Sequence, residues 1–68
     1  MSSNQHRKRI GLRIKELREQ QGLTSSQIAE AIEMSENNYL RIEEGRFSVS
    51  VDKLEQIANI LGTRVDLI

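Results

Sequence analysis

The side chains in this sequence that can do chemistry are charged groups and amides, not nucleophiles with a base beside them. The one histidine, His6, lies in the N-terminal tail, and there is no cysteine. No serine or threonine stands at a recognisable spacing from a general base, and no glycine-rich phosphate loop follows a strand pattern. Carboxylates are abundant, but on helical surfaces that is ordinary. Catalysis therefore finds no support, and neither a metal cluster nor a cofactor is expected. Charge is the remaining resource. The formal net charge is zero, yet its distribution is uneven. Residues 1–21 carry Arg7, Lys8, Arg9, Arg13, Lys15 and Arg18 against Glu16 and Glu19, a surplus of +4, and the rest carries the matching deficit. The basic end can meet phosphates. A solvated helix face with ion pairs such as Lys15–Glu19 at i,i+4 accounts equally well for the charges of the first helix.

These groups must be held by something. Sixty-eight residues make one small domain with a thin core. No apolar run approaches a membrane span, and the basic N-terminus has no apolar segment behind it, so no secretory signal is expected. There is no proline, and Gly22, Gly45 and Gly62 each follow an apolar-periodic run, where helix C-caps belong. The pattern predicts five helices with short connections. The first runs from about Arg7 to Gln21 with Ile10, Ile14 and Leu17 inward, and residues 1–6 form a disordered tail, leaving 7–68 as the domain. The second starts at Thr24, where Thr24-x-x-Gln27 fits a capping box, with Ser25 and Ser26 as rival caps about a residue later. The third has Ser35 as N-cap and runs to about Glu44. The fourth is capped by Ser50, with Val51, Leu54, Ile57, Ala58 and Leu61 inward. Thr63 caps a last short turn holding Val65, Leu67 and Ile68.

From Thr24 to Gly45 the apolar residues Ile28, Ala29, Ile32, Met34, Tyr39 and Ile42 cannot share one face of one helix, because the phase slips near Glu33–Ser35. Two short helices joined by a tight turn satisfy them all, with small Ala29 at the crossing. This is a helix-turn-helix pattern, for which an ordinary helical hairpin in a small bundle is the plain alternative.

The rest of the chain bears on that choice. IGLRIKELREQQGLT at 10–24, QIAEAI at 27–32, the segment from Met34–Ser35 to Ile42, IEEG at 42–45 and LEQIANILGTRVDL at 54–67 together resemble the phage repressor/Cro (Xre-type) helix-turn-helix family. The resemblance covers about Ile10 to Leu67 and is more specific for fold than for biological role. It implies an all-α, compact five-helix, lambda-repressor-like DNA-binding domain. It also implies that Arg18 and Glu43 pair across the core as a structural tie, for which a bidentate arginine–carboxylate pair is well suited. Family members read bases near the start of the third helix, where this chain has Glu36, Asn37, Asn38 and Arg41. Asparagine can pair with adenine, arginine with guanine, and glutamate can accept from cytosine; for Asn37 and Asn38 the plain alternative is solubility at a helix start, and for Glu36 the alternative, equally weighted, is a carboxylate that repels the nearby phosphates. Leu40 either touches a thymine methyl or covers a core edge. Phosphate contacts are implied for Ser25, Ser26 and Gln27, and for Arg46 and Ser48 in the loop after the third helix. Arg7, Lys8 and Arg9 form either a basic arm or a solubilising tail.

Departures from the family pattern are Glu33 at a turn position that is often glycine, Val49 where proline is common before the fourth helix, and the apolar Phe47 in a usually polar loop. Phe47 and Val49 either fold inward or join Val65, Leu67 and Ile68 in a dimer contact. The implied function is sequence-specific binding of double-stranded DNA by a homodimer on a palindromic operator, as a repressor-like transcriptional regulator in a bacterial or phage-infected cytoplasm. The chain leaves no room for a ligand-sensing domain, so regulation is expected from concentration, a partner or an extension. Antitoxins and restriction–modification controllers share the fold. A helix-turn-helix used as a protein-interaction module, with a protein partner in place of DNA, is the rival of a different class.

Overall fold

The structure is a computed structural model that describes residues 3–68, with side-chain surroundings from residue 5 onward. It consists of α1 (Ser3–Gln20), α2 (Ser25–Ala31), α3 (Glu36–Glu43), α4 (Val51–Ile60) and a 3₁₀ turn, Val65–Leu67, with no strand among the described residues. The all-α class and the central helix-turn-helix are as the sequence predicts. The fifth helix is only that single turn, closed by Leu67 N–H to Arg64 O at 2.9 Å and Ile68 N–H to Val65 O at 3.1 Å. A segment this short cannot offset helix nucleation and settles for i→i+3 bonds. Thr63 does not cap it: Arg64 is the N-cap residue, without a side-chain bond.

α1 begins earlier than the expected Arg7. Residues 3–6, expected to be part of a disordered tail, continue the helix; no glycine or proline interrupts them, and Arg9 Nη2 reaches His6 Nδ1 at 3.3 Å one turn back. The rest of that expected tail, Met1 and Ser2, lies outside the described residues. On the surface of α1, Arg13 and Glu16 form an ion pair at 3.8 Å, and among the described residues Lys15 and Glu19, expected to pair there, do not.

The other helices start where short polar side chains can accept from orphan amides. The Thr24 hydroxyl accepts from Gln27 N–H at 3.0 Å while Gln27 Oε1 accepts from Thr24 N–H at 2.8 Å, completing the capping box. Ser35 and Ser50 accept from Asn38 N–H and Lys53 N–H, both at 3.2 Å. All four α-helices stop in the same way. The residue after the C-cap turns to positive φ, and the next N–H bonds back into the helix: Leu23 to Arg18 O, Met34 to Ala29 O, Arg46 to Arg41 O and Thr63 to Ala58 O. Three of the positive-φ residues are glycines. The fourth is Glu33, with φ of 57°. The turn of the helix-turn-helix is thus a helix stop built on the wrong residue type for its backbone.

The core is formed by Ile14 from α1, Ile28, Ala29 and Ile32 around α2, Tyr39 and Ile42 from α3, and Ile57, Ala58 and Leu61 around α4, each 3% exposed or less. Ile10, Leu17, Leu54, Phe47, Val49 and Ile68 pack against it while keeping an exposed edge. Val51, expected inward, is 67% exposed because it stands at the first position of α4, beyond the edge of the core. α1 and α2 both pack on α3, and α1 does so without a side chain between. A Cβ on Gly11 would stand 2.3 Å from the Ile42 carbonyl oxygen and 2.4 Å from that of Glu43. Gly45 also lies close against the Lys8 backbone, and a Cβ there would stand only 2.6 Å from Lys8 Cα.

Two opposite substitutions check this packing in urea denaturation. Gly11→Ala, which in an open helix would stabilise by about 1 kcal/mol, is expected to destabilise by about 2 kcal/mol, because backbone carbonyls occupy the space. Glu33→Gly is expected to stabilise by about 1 kcal/mol by relieving the left-handed conformation.

Candidate nucleic-acid interface

The outward face of the helix-turn-helix is set from behind. Glu43, in the last turn of α3, has a side chain 3% exposed. Arg18 of α1 meets it bidentately, Nε to Oε2 at 2.6 Å and Nη2 to Oε1 at 3.1 Å, and its Nη1 donates to the Leu23 carbonyl at 3.0 Å. One guanidinium therefore fixes α1, the entry to α2 and the end of α3. The hydrogen bond with Glu43 raises the Arg18 pKa against the opposing effect of burial, so the guanidinium stays protonated. Tyr39 lies beside it, fully buried, its hydroxyl lacking a hydrogen bond of good geometry. Burial first, and the Glu43 carboxylate second, push the phenol far above its ordinary range and keep it neutral.

With Tyr39, Ile42 and Glu43 turned inward, helical periodicity turns the rest of α3 outward. Glu36, Asn37 and Arg41 are exposed; Asn38 and Leu40 are half-buried. Among the described residues, the side chains of Asn37 and Arg41 have no hydrogen-bond or ion-pair partner. Glu36 does have one: the Ser25 hydroxyl donates to its Oε2 at 2.6 Å. The first residues of α2 and α3 are thereby joined, although the sequence assigned one to phosphate and the other to a base.

The flanking residues follow. Ser26 and Gln27 are exposed at the start of α2, but the Gln27 side-chain carbonyl is committed to the capping box, leaving only its amide NH₂ for a ligand. After α3, Arg46 and Ser48 are exposed, and Arg46 Nη1 lies 3.3 Å from Glu44 Oε1. A pair this exposed contributes about 1 kcal/mol or less and yields readily to another anion. Phe47 and Val49 pack partly against the core. At the C-terminus Ile68 does the same, Val65 is half-buried, and Leu67 is 56% exposed. None of the groups of His, Cys, Asp and Glu among the described residues can hold a metal ion, and no helix there is long and apolar enough to cross a membrane.

Two contacts that the sequence did not suggest hold the face in place. Lys53 Nζ donates to the Ile32 carbonyl at the end of α2, and Gln21 Nε2 donates to the Leu61 carbonyl at 2.6 Å, joining the ends of α1 and α4. Gly11 was legible in principle: a glycine inside an amphipathic helix costs about 1 kcal/mol relative to alanine and calls for a packing reason.

Comparison with known proteins agrees with this geometry. The family described as "Helix-turn-helix domain" matches residues 9–68. The immunity repressor protein of Bacillus phage phi105 is 37% identical over 59 residues, which make up 87% of this chain and 41% of that protein. The crystal structure of the clp gene regulator ClgR from Corynebacterium glutamicum aligns with a TM-score of 0.85 at 30% identity, covering 88% of this chain and 64% of that one. The chain thus spans less than two thirds of either.

The tie behind α3 is testable by denaturation. Arg18→Ala strands the Glu43 carboxylate and is expected to cost about 3–5 kcal/mol, enough to unfold most of so small a domain at 37 °C. Asn37→Ala, which removes an exposed side chain without a partner, should change stability by no more than about 0.5 kcal/mol.

Proposed function

The chain belongs to the helix-turn-helix family, and from that membership we propose that it binds double-stranded DNA sequence-specifically as a repressor-like transcriptional regulator. The observation that carries this reading is the two-sided character of α3. Its inner side is locked by Tyr39, Ile42 and the Arg18–Glu43 pair, while Asn37 and Arg41 stand exposed and uncommitted on the other. A helix fixed from behind, with adenine- and guanine-competent side chains in front, suits insertion in the major groove. Asn38, beside them, has only part of its surface available. Ser26, the Gln27 amide, Arg46 and Ser48 flank the helix and set register on the phosphates, Arg46 by exchanging Glu44 for a phosphate.

The names of the two similar proteins, an immunity repressor and a gene regulator, support the regulatory reading. One domain of this size touches few base pairs, so it acts as a homodimer on a palindromic site with half-sites about one helical turn apart. The exposed Leu67, with Val65 and the uncovered edges of Phe47, Val49 and Ile68, provides the contact between copies. The place of action is the bacterial or phage-infected cytoplasm, where such operators lie. No catalytic role and no cofactor are part of this reading.

Titration of labelled duplexes at several salt concentrations tests it. Affinity for the preferred sequence should fall on the order of tenfold or more between about 50 and 200 mM salt, through loss of counterion release. Absence of binding to any genomic fragment at low salt overturns the reading in favour of a protein-interaction module. Asn37→Ala and Arg41→Ala should each reduce discrimination between the preferred site and a site altered at one base by about 1–3 kcal/mol in a domain that remains folded.

A further inference from the structure

The peptide unit between Ile32 and Glu33 is the strained point of the helix-turn-helix, and a residue from outside the motif holds it. Glu33 has φ of 57°, a conformation that an L-residue leaves for negative φ when it is free to do so. To leave it, either the peptide plane before Glu33 or the chain after it must turn. Lys53 Nζ donates to the Ile32 carbonyl, and that carbonyl lies in the plane in question. The ammonium therefore opposes the first movement. Its origin is firm, since Lys53 N–H is held by Ser50 Oγ at 3.2 Å and the neighbouring Leu54 packs against the core. The lysine gains nothing from its own helix. It stands in the first turn of α4, where the dipole presents its positive end and a cation is unfavourable. Its half-buried stem and its charge are placed instead for the negative end of α2. The chain after Glu33 is α3. Arg18 and Gly11 fix the last turn of that helix, at Glu43. Its first turn, with the exposed Asn37, is reached through Glu33, Met34 and Ser35.

We propose that Lys53 is a positioning residue for recognition: by holding the Ile32–Glu33 peptide it fixes the entry end of α3, and it is the reason a residue other than glycine is tolerated in the turn. This proposal rests on the DNA-binding reading above. Lys53 acts through the turn and touches no base. Its removal therefore narrows the preference among duplexes without deleting a contact to any of them. Glu33 and Lys53 form one unit. With glycine in the turn the left-handed conformation needs no outside support, and the lysine becomes dispensable.

The test compares the full chain with Lys53→Met, Lys53→Arg, Glu33→Gly and the double variant Glu33→Gly/Lys53→Met. Amide hydrogen exchange reads the turn without DNA. Met34 N–H, bonded to the Ala29 carbonyl at 2.8 Å, should exchange severalfold faster in Lys53→Met. The amides of Leu23, Arg46 and Thr63, which make the corresponding bond at the other helix stops, should keep their rates. Protection of Met34 should return in Lys53→Arg and in the double variant. An unchanged Met34 rate overturns the proposal, and so does equal acceleration of all four amides, which marks general destabilisation. Recognition is read on the duplex that the native protein selects from a randomised pool, against duplexes changed at single positions. Lys53→Met should lower the ratio of these affinities by about threefold or more, and Lys53→Arg should restore it. The double variant should keep the ratio within about twofold of that of Glu33→Gly. An undiminished ratio in Lys53→Met, or an equal loss with and without Glu33→Gly, overturns the positioning role. A fall of about one in the slope of log affinity against log salt also overturns it, by making Lys53 a phosphate contact. Failure of the native protein to enrich any sequence overturns the DNA-binding reading and the recognition role of Lys53 with it, while hydrogen exchange decides separately whether Lys53 holds the turn.

Discussion

Glu43 occupies a place that opposes a carboxylate twice over. It lies in the last turn of α3, where the helix dipole presents its negative end, and its side chain is 3% exposed, so water cannot solvate the charge. Arg18 is what makes the position tenable. Its guanidinium covers both carboxylate oxygens and has a third donor to spend on the Leu23 carbonyl. Such a pair adds little net stability compared with a well-packed apolar substitute, but it is far more directional. The planar fork accepts one orientation of α3 relative to α1. Close contact at Gly11, where the Ile42 and Glu43 carbonyls would be struck by any Cβ, removes the remaining freedom to slide. The angle at which α3 meets its surroundings therefore follows from the ion pair and the bare backbone contact together.

The turn between α2 and α3 is the one weak joint in this frame. The helices that end at Gly22, Gly45 and Gly62 use the residue that tolerates positive φ, and α2 uses Glu33 at 57°. Two features compensate. Met34 N–H bonds to the Ala29 carbonyl at 2.8 Å, so the strained residue is bridged by a good hydrogen bond. The Lys53 ammonium, brought in by α4, occupies the Ile32 carbonyl at the negative end of α2. Helix α4 thus acts on the helix-turn-helix from outside it, and the Gln21–Leu61 bond ties α4 to α1 in turn.

The sequence yields what is local. Thr24, Ser35 and Ser50 cap helices because the bond runs from a side chain to an amide three residues on, a distance visible in the text of the chain. The inward residues of α2 and α3 were legible because their phase admits only a broken helix. Arg18 and Glu43 stand 25 residues apart, and nothing in their spacing joins them; only the family resemblance did. Lys53 to Ile32, Gln21 to Leu61 and Ser25 to Glu36 have no such guide, since each depends on where two helices come to rest. The misplaced elements also have physical reasons. Val51 follows the α4 stripe in sequence but lies beyond the core in space, and the last apolar residues are too few to sustain an α-helical turn.

The outward face has the same division between field and contact. A chain of zero net charge exerts little long-range attraction on a polyanion, and the acidic residues near α3 would seem to weaken it further. Two of them are already engaged at short range, Glu36 by the Ser25 hydroxyl and Glu44 by Arg46. The first engagement occupies one oxygen of an exposed carboxylate. The second is an exposed pair that a phosphate can replace at a cost of about 1 kcal/mol or less. Steering contributes little to such a surface, and directional contacts contribute most. Its discrimination between duplexes then depends on how rigidly α3 is held, which returns the problem of recognition to Arg18, Glu43 and Gly11 on the opposite side of the helix.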